Sequence, residues 1–332
     1  MLMQTESVDV LHPLTSFTPR WLNCRDKPNI CGGARAQPIL LNDSAVYARG
    51  MNDQGKCIPW KYSVSLCSWS PLPIPPGLNG YGDNYVLATY QGQLVWIGGH
   101  VSNSEHVYIL TSNKRVFVFG EDEGWKDTIP SLPVEFHYMS GISASSEDNY
   151  LIIAWREDNY VKLLIFNGQE WTTKEGPPQC NESDKIDIII HNGMVYVMNR
   201  CYGVSHFHVT SVESLLVTND TSWKELKSIP YEHSNLTLFG GYLTVVTKMS
   251  SCALAFSPNS KTWIELCDFS HRTYSLMYSE PESSIIGLPN GTLLLMGAIR
   301  LDKSNQILQF DVLEVTAKGM LCVHHVVYTY TV

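Results

Sequence analysis

Basic residues recur at similar places along the chain. Arg49, Arg156, Arg200 and Lys248 end the short apolar runs Ala45–Arg49, Leu151–Arg156, Val195–Arg200 and Leu243–Lys248. His100 directly follows Leu94–Gly99, and Arg300 comes shortly after Leu293–Gly297. A guanidinium presents a planar fork of donors that grips a carboxylate or phosphate with two parallel hydrogen bonds. Gathered at one end of a fold, these residues would focus a positive field on an anionic ligand even in an acidic protein. A plainer reading stands beside this one: strand ends are exposed, exposed residues are often charged, and Glu157, Asp158 and Asp302 lie close enough to neutralise their neighbours.

Other reactive groupings are sparse. His206 and His208 alternate, with Cys201 nearby, a spacing compatible with two metal ligands. No third ligand joins them at an evident spacing, so a surface pair is expected and no metal. His324 and His325 are adjacent and would face opposite sides of a strand. There is no Gly-x-Ser-x-Gly turn, phosphate loop or His-Glu-x-x-His. No catalytic residue and no cofactor are expected. Three segments read as long loops: Val101–Lys114 with Tyr108, Cys201–Ser211 with Tyr202 and Phe207, and His271–Glu282 with Arg272, Tyr274 and Tyr278. Aromatics beside arginine are the usual composition of interface hot spots, though such rings equally pack onto a core.

Composition narrows the classes. The 9 Trp, 17 Tyr and 10 Phe supply ample core material, and only 17% of residues are charged, which excludes a disordered chain. A net charge of −9 argues against broad attachment to nucleic acid or an anionic membrane. No apolar run approaches the roughly 18 residues of a membrane span. The start, Met-Leu-Met-Gln-Thr-Glu, lacks the basic and apolar parts of a signal peptide, so a cytoplasmic location is expected. The 9 cysteines are scattered and never spaced Cys-x-x-Cys, which suggests neither a zinc site nor a disulfide framework. Asn42, Asn181, Asn219, Asn235 and Asn290 head Asn-x-Ser/Thr sequons, read as chance in a protein without a secretion signal.

The elements that would position these residues repeat. Trp69, Trp125, Trp171, Trp223 and Trp263 each follow a polar turn, and Trp21 stands upstream of them. Successive intervals are 48, 56, 46, 52 and 40 residues. A period near 50 with short strands marks a β-propeller blade. The apolar runs above fall between the tryptophans, and several follow turns rich in Gly or Asn: Gln91-Gly92, Asn192-Gly193, Gly240-Gly241 and Asn290-Gly291. Such residues supply the positive φ of tight hairpins. A further strand is expected before each Trp, at Arg115–Phe119, Val161–Phe166 and Ser214–Val217. Each Trp then reads as a structural side chain wedged between blades. No long 3.6-period apolar segment competes, so the chain is all-β.

These units resemble the Kelch repeat, whose marks are a hydrophobic strand ending in a Gly pair and a Trp about 25 residues later. The best copy is Gly92-Gln-Leu-Val-Trp-Ile-Gly98-Gly99 followed by Trp125. The resemblance spans about residues 18–320. Single glycines, Gly50 and Gly297, replace the pair in two units, and the units containing Trp155, Asn199 and Thr247 have none. The resemblance implies a six-bladed propeller of four-stranded antiparallel blades, with residues 1–17 an N-terminal extension and 321–332 a β-rich tail. No Trp strand follows the last unit, so the segment around Trp21 is expected to close the ring. Closure by Leu321–Thr331 is the alternative.

Kelch-like substrate receptors often engage short acidic motifs with basic residues on the corresponding face. The resemblance therefore implies a non-catalytic module that binds an acidic or phosphorylated protein through Arg49, His100, Arg156, Arg200, Lys248 and Arg300. It also implies a role as a substrate-recognition component of a ubiquitin ligase. About 20 residues precede the propeller, too few for a BTB, BACK or F-box region, so the module is expected to be a fragment or to work through another subunit. Two other classes remain: a sugar-epimerase-type enzyme, which needs Glu, His and Arg converging on the channel, and a cytoskeletal scaffold.

Overall fold

The computed structural model describes residues 5–10, 16–22, 38–41, 45–52, 54, 56–78, 85–102, 110–135, 142–147, 149–157, 160–178, 185–201, 204–217, 222–229, 235–247, 252–257, 261–268, 274–275, 284–288, 292–301, 307–318 and 323–328. In chain order, β1 (Thr5–Val10) and β2 (Ser16–Leu22) precede β3 (Ile39–Leu41), β4 (Ala45–Met51), β5 (Cys57–Ser63) and β6 (Ser68–Pro71), the last four forming one sheet in sequence order. Next come β7 (Tyr85–Tyr90), β8 (Gln93–Gly98), β9 (His100–Ser102), β10 (Leu110–Ser112), β11 (Val116–Gly120) and β12 (Gly124–Ile129). Of these, β7-β8-β11-β12 make the second sheet, and β9 pairs with β10 as a separate ribbon. The third sheet is β13 (Ile142–Glu147), β14 (Tyr150–Glu157), β15 (Tyr160–Phe166) and β16 (Trp171–Glu175). The fourth is β17 (Lys185–His191), β18 (Met194–Cys201), β19 (Val204–Ser211) and, after the helix α1 (Val212–Val217), β20 (Lys224–Ile229).

The fifth sheet is β21 (Thr237–Phe239), β22 (Tyr242–Thr247), β23 (Cys252–Ser257) and β24 (Thr262–Asp268). A last sheet of five strands joins β25 (Tyr274–Ser275), β26 (Ser284–Leu288), β27 (Thr292–Leu301), β28 (Ile307–Lys318) and β2. Finally, β29 (Val323–Tyr328) pairs with β1 in a separate two-stranded sheet. The molecule is thus an all-β propeller of four-stranded antiparallel blades, with five four-stranded sheets and one five-stranded sheet among the described residues. The N-terminal segment pairs with the last sheet, Trp21 opposite Leu313, while the C-terminal strand does not.

Local chemistry explains the hairpins. Gln91-Gly92, Asn192-Gly193 and Gly240-Gly241 all have positive φ, 49° and 72°, 51° and 69°, 58° and 82°, as the twist-matched two-residue turn requires. Asn290-Gly291 lies outside the described residues. One expected strand is wrong. Ser214–Val217 belongs to α1, and the third strand of that sheet is β19, drawn from the segment read as a loop. Ser211 decides the switch: its Oγ accepts from the backbone N of Ser214 at 3.0 Å, a helix N-cap, and Val212 and Leu215 then bury on one face.

Apolar clusters fill the wedges between consecutive sheets, as where Val86, Val95 and Val116 meet Leu151, Ile153 and Trp155. The repeated tryptophans secure the outside. Nε1 of Trp125 donates to the carbonyl of Pro73 at 2.6 Å, that of Trp171 to Pro130 at 2.7 Å, and that of Trp263 to Lys227 at 2.8 Å. Each acceptor lies four or five residues beyond the Trp of the preceding sheet, so every such indole clamps one blade to its neighbour. The side chain of Trp21 lies outside the described residues; Trp69 is buried against Tyr62, and Trp223 packs on the cluster between the third and fourth sheets.

The first strand of each sheet faces the axis. β3 packs on β7, β7 on β13, β13 on β17, β21 on β26, and β26 on β3. A first strand is also a sheet edge, with backbone groups that need partners. Side chains of the preceding first strand supply them. Oγ of Ser143 and of Ser145 accept from the N–H groups of Ile188 and Ile190 at 3.2 and 3.0 Å. The Glu147 carboxylate accepts from Asn192 and Gly193, each at 2.7 Å. Asp187 joins the fourth sheet to its neighbours, accepting from Ser143 Oγ at 2.9 Å and from the N–H of Leu236 at 2.7 Å. Asn235 both accepts from the N–H of Ile285 and donates to its carbonyl, and Thr237 Oγ1 accepts from Gly287.

Candidate functional site

The basic residues stand in or just beyond β4, β8, β14, β18, β22 and β27, each next to the innermost strand of its sheet. Their C-terminal ends therefore approach one mouth of the propeller. Arg156 is the seventh of eight residues in β14, Arg200 the seventh of eight in β18, and Arg300 the ninth of ten in β27. His100 opens β9, directly beyond the Gly98-Gly99 pair, whose φ values are 74° and 100°. Lys248, one residue past the end of β22, lies outside the described residues, as do the side chains of His100, Arg200 and Arg300.

Arg49 departs from the expectation of an exposed rim. It is buried at 6% exposure, its Nη1 donates to the carbonyl of Tyr85 at 2.8 Å, and its guanidinium lies 4.5 Å from the Tyr85 ring centroid. Tyr85 begins the first strand of the next sheet, so Arg49 is one more link between blades. The Tyr85 ring stacks in turn on Trp96, and its hydroxyl accepts from the thiol of Cys57 at 3.8 Å. Burial pushes the Tyr85 phenol well above its ordinary range, keeping it protonated. Arg156, by contrast, is half-buried at the end of β14.

The turn after β14 adds a feature that charge counting missed. Tyr160 is 63% exposed, an unusual setting for a large ring, and it lies across the hairpin from Glu157, on the sheet face opposite to that of Arg156. Lys162 Nζ sits 6.0 Å from the Tyr160 ring centroid and bonds Glu175 at 2.6 Å. Its start-of-strand position after Asp158-Asn159 was the available signal. Of the segments read as long loops, Val101–Lys114 carries the β9–β10 ribbon, Cys201–Ser211 is mostly strand, and His271–Glu282 contributes β25, where Tyr274 pairs with Arg300. Phe207 packs inward, at 1% exposure, against Trp263.

The axis holds a cavity of about 220 Å³. Every first strand contributes to it, with Leu40, Thr89, Ser145, Ile188, Thr237 and Ile286 among the lining residues. That lining is aliphatic and hydroxyl-bearing, and its hydroxyls already bond neighbouring strands, as Thr89 does with Ser146 at 3.3 Å. His206 and His208 share a face of β19, and Nδ1 of His206 lies 3.5 Å from Glu225. Among the described residues no group of three or more His, Cys, Asp or Glu is arranged to hold a metal ion. Cys57, Cys67 and Cys252 are thiols rather than disulfides. Also among the described residues, no helix is long and apolar enough to cross a membrane. No protein-family model matches the chain, and no curated protein matches its sequence.

Proposed function

We propose that this chain is a Kelch-like propeller of six blades, the five-stranded sheet counting as the last and β2 closing the ring. It serves as a non-catalytic protein-interaction module. Its mouth, rimmed by His100, Arg156, Arg200, Lys248 and Arg300, binds a protein segment bearing carboxylates or phosphates. Recognition of a substrate for ubiquitin ligation is the role such a module fills in the family it resembles. One observation carries the reading: basic residues recur at the same end of the second strand from sheet to sheet. Arg49 is left out of the rim because it is buried between blades. The aliphatic and hydroxyl lining of the axial cavity supports binding at the mouth over chemistry in the channel.

The test is a titration of fluorescent acidic and phosphorylated peptide pools, followed by the best single peptide. The wild-type chain is compared with an Arg156→Glu/Arg200→Glu/Lys248→Glu variant of matched circular dichroism. Loss of a buried or partly buried charge contact costs about 1–3 kcal/mol, so three reversals should weaken the best peptide at least a hundredfold. Binding should also fall steeply with salt. Unchanged affinity in the variant refutes the mouth as the recognition surface.

A further inference from the structure

The seam between the third and fourth sheets contains polar atoms with no partner. Both amide atoms of Asn199, Nδ1 of His208 and Nε1 of Trp223 are buried and make no hydrogen bond. Asn199 is 0% exposed and His208 is 7% exposed. Strand register brings them together. Asn199 stands opposite His206, and Val197 opposite His208, so Asn199 and His208 are diagonal neighbours on one face of the β18–β19 pair. His208 in turn stands opposite Glu225, which puts Trp223 diagonally on its other side. This face packs on Ile152, Ala154, Val161, Leu163 and Ile165 of the third sheet, whose side chains offer neither donor nor acceptor.

Native proteins seldom leave buried amides and imidazoles unpaired, because each costs about 1–3 kcal/mol. Diagonal neighbours in an antiparallel pair are roughly 7–8 Å apart, and no direct hydrogen bond joins Asn199 to His208. The gap suits two hydrogen bonds in series through one small molecule that both donates and accepts. We propose that the seam binds an ordered water molecule, which donates to Nδ1 of neutral His208 and accepts from Nδ2 of Asn199. The inference rests on the seam alone and is independent of what the mouth binds.

The site makes the seam sensitive to acid. Burial holds the His208 imidazole below its ordinary range; Glu225 on β20 opposes that shift and His206 on the same strand adds to it. From the facing sheet, Arg156 and Lys174 share the packed face, paired across from Val161 and Leu163. A protonated Nδ1 can no longer accept the water's hydrogen bond. Below pH about 6.5 the unfolded chain takes up a proton at His208 that the folded chain resists. The unfolded state then binds more protons, so stability falls as pH drops through that window.

Urea unfolding of the full chain, at pH 7.5 and pH 5.5, tests this with Asn199→Leu, His208→Phe and the double variant. Each single variant leaves the water and the surviving partner unsatisfied, so the folding constant at pH 7.5 should drop roughly ten- to a hundredfold. The double variant should regain much of that loss, and the variants with Phe at 208 should lose less stability than wild type on acidification. Single substitutions that stabilise and add independently would mean dry, separate orphans and overturn the proposal. An acid response unchanged by His208→Phe would overturn it equally. If a variant does not fold, selectively labelled wild-type protein decides: a nuclear Overhauser contact between the Asn199 amide protons and a long-lived water is expected, and its absence refutes the site.

Discussion

Replacing Asp187 by alanine removes the acceptor at a three-sheet junction. The carboxylate is 2% exposed and receives the hydroxyl of Ser143 at 2.9 Å and the N–H of Leu236 at 2.7 Å. Without it the Leu236 amide loses its acceptor beside an apolar cluster that includes Ile189, Met198 and Val245. An unsatisfied buried donor costs about 1–3 kcal/mol, and bonds to a charged acceptor lie at the upper end. The Ser143 hydroxyl adds about 1 kcal/mol, because its oxygen still accepts from Ile188 while its proton loses a partner. The sum is about 3–4 kcal/mol. Asp187→Asn keeps the shape and one acceptor oxygen, so it should cost about 1–2 kcal/mol. Urea unfolding followed by tryptophan fluorescence reads the difference. With an m-value of roughly 3 kcal/mol/M, alanine should lower the midpoint by about 1–1.3 M and asparagine by about 0.3–0.7 M. Amide exchange adds a local readout, since Leu236 should lose protection in the alanine variant before Ile153 does. Equal effects of Ala and Asn, or an alanine cost below about 0.5 kcal/mol, would refute the hydrogen-bond account.

Two further substitutions probe the ring from its inner and outer sides. A Cβ on Gly287 would stand 2.0 Å from the carbonyl oxygen of Leu238 in the neighbouring first strand, so Gly287→Ala must push β21 and β26 apart. Its cost should be about 3 kcal/mol, in the upper range for overpacking, and a thermal midpoint within 2 °C of wild type, to be checked by calorimetry, would show that the strands yield freely. Trp125→Phe keeps a ring against Trp96 and Phe119 but strands the Pro73 carbonyl, so it should cost about 1–2 kcal/mol by urea unfolding, and more than Trp171→Phe, whose ring is less buried.

Much of the architecture was legible because it repeats. Trp69, Trp125, Trp171, Trp223 and Trp263 mark outer strands, or the residue just before one, in successive sheets, and their period alone identifies a propeller. The Gly-containing turns were legible for a local reason, since a two-residue hairpin demands positive φ whatever surrounds it. What failed depended on contacts across sheets or on a single capping atom. The run Val204–Ser211 alternates like a strand, yet the whole of Cys201–Ser211 was read as a loop, and the cap made by Ser211 was overlooked. Arg49 looked exposed because strand ends usually are. Its burial follows from Tyr85, 36 residues away, which no local pattern reveals. Likewise no local pattern marks Ser143, Ser145 and Glu147, and only the ring shows that all three bond the next sheet's backbone.

Those inter-sheet bonds have a direction. In each of Ser143, Ser145, Glu147, Asp187, Asn235 and Thr237, the side chain of one first strand accepts from a backbone N–H of the next first strand in the sequence. In these bonds to backbone N–H groups the acceptor precedes the donor in the chain. Backbone donors cannot vary with sequence, so the order of blades is written in the acceptors, and a blade moved elsewhere in the ring would meet the wrong complement. The arrangement also divides labour between adjacent strands. First-strand polar groups hold the ring and leave the axial cavity to aliphatic surface and engaged hydroxyls, a poor setting for a charged ligand. Second strands sit one place outward, their backbones satisfied on both sides, so the residues at their ends are free to differ from blade to blade. That is where the recurrent cations stand, and it is why the proposed recognition is assigned to the mouth.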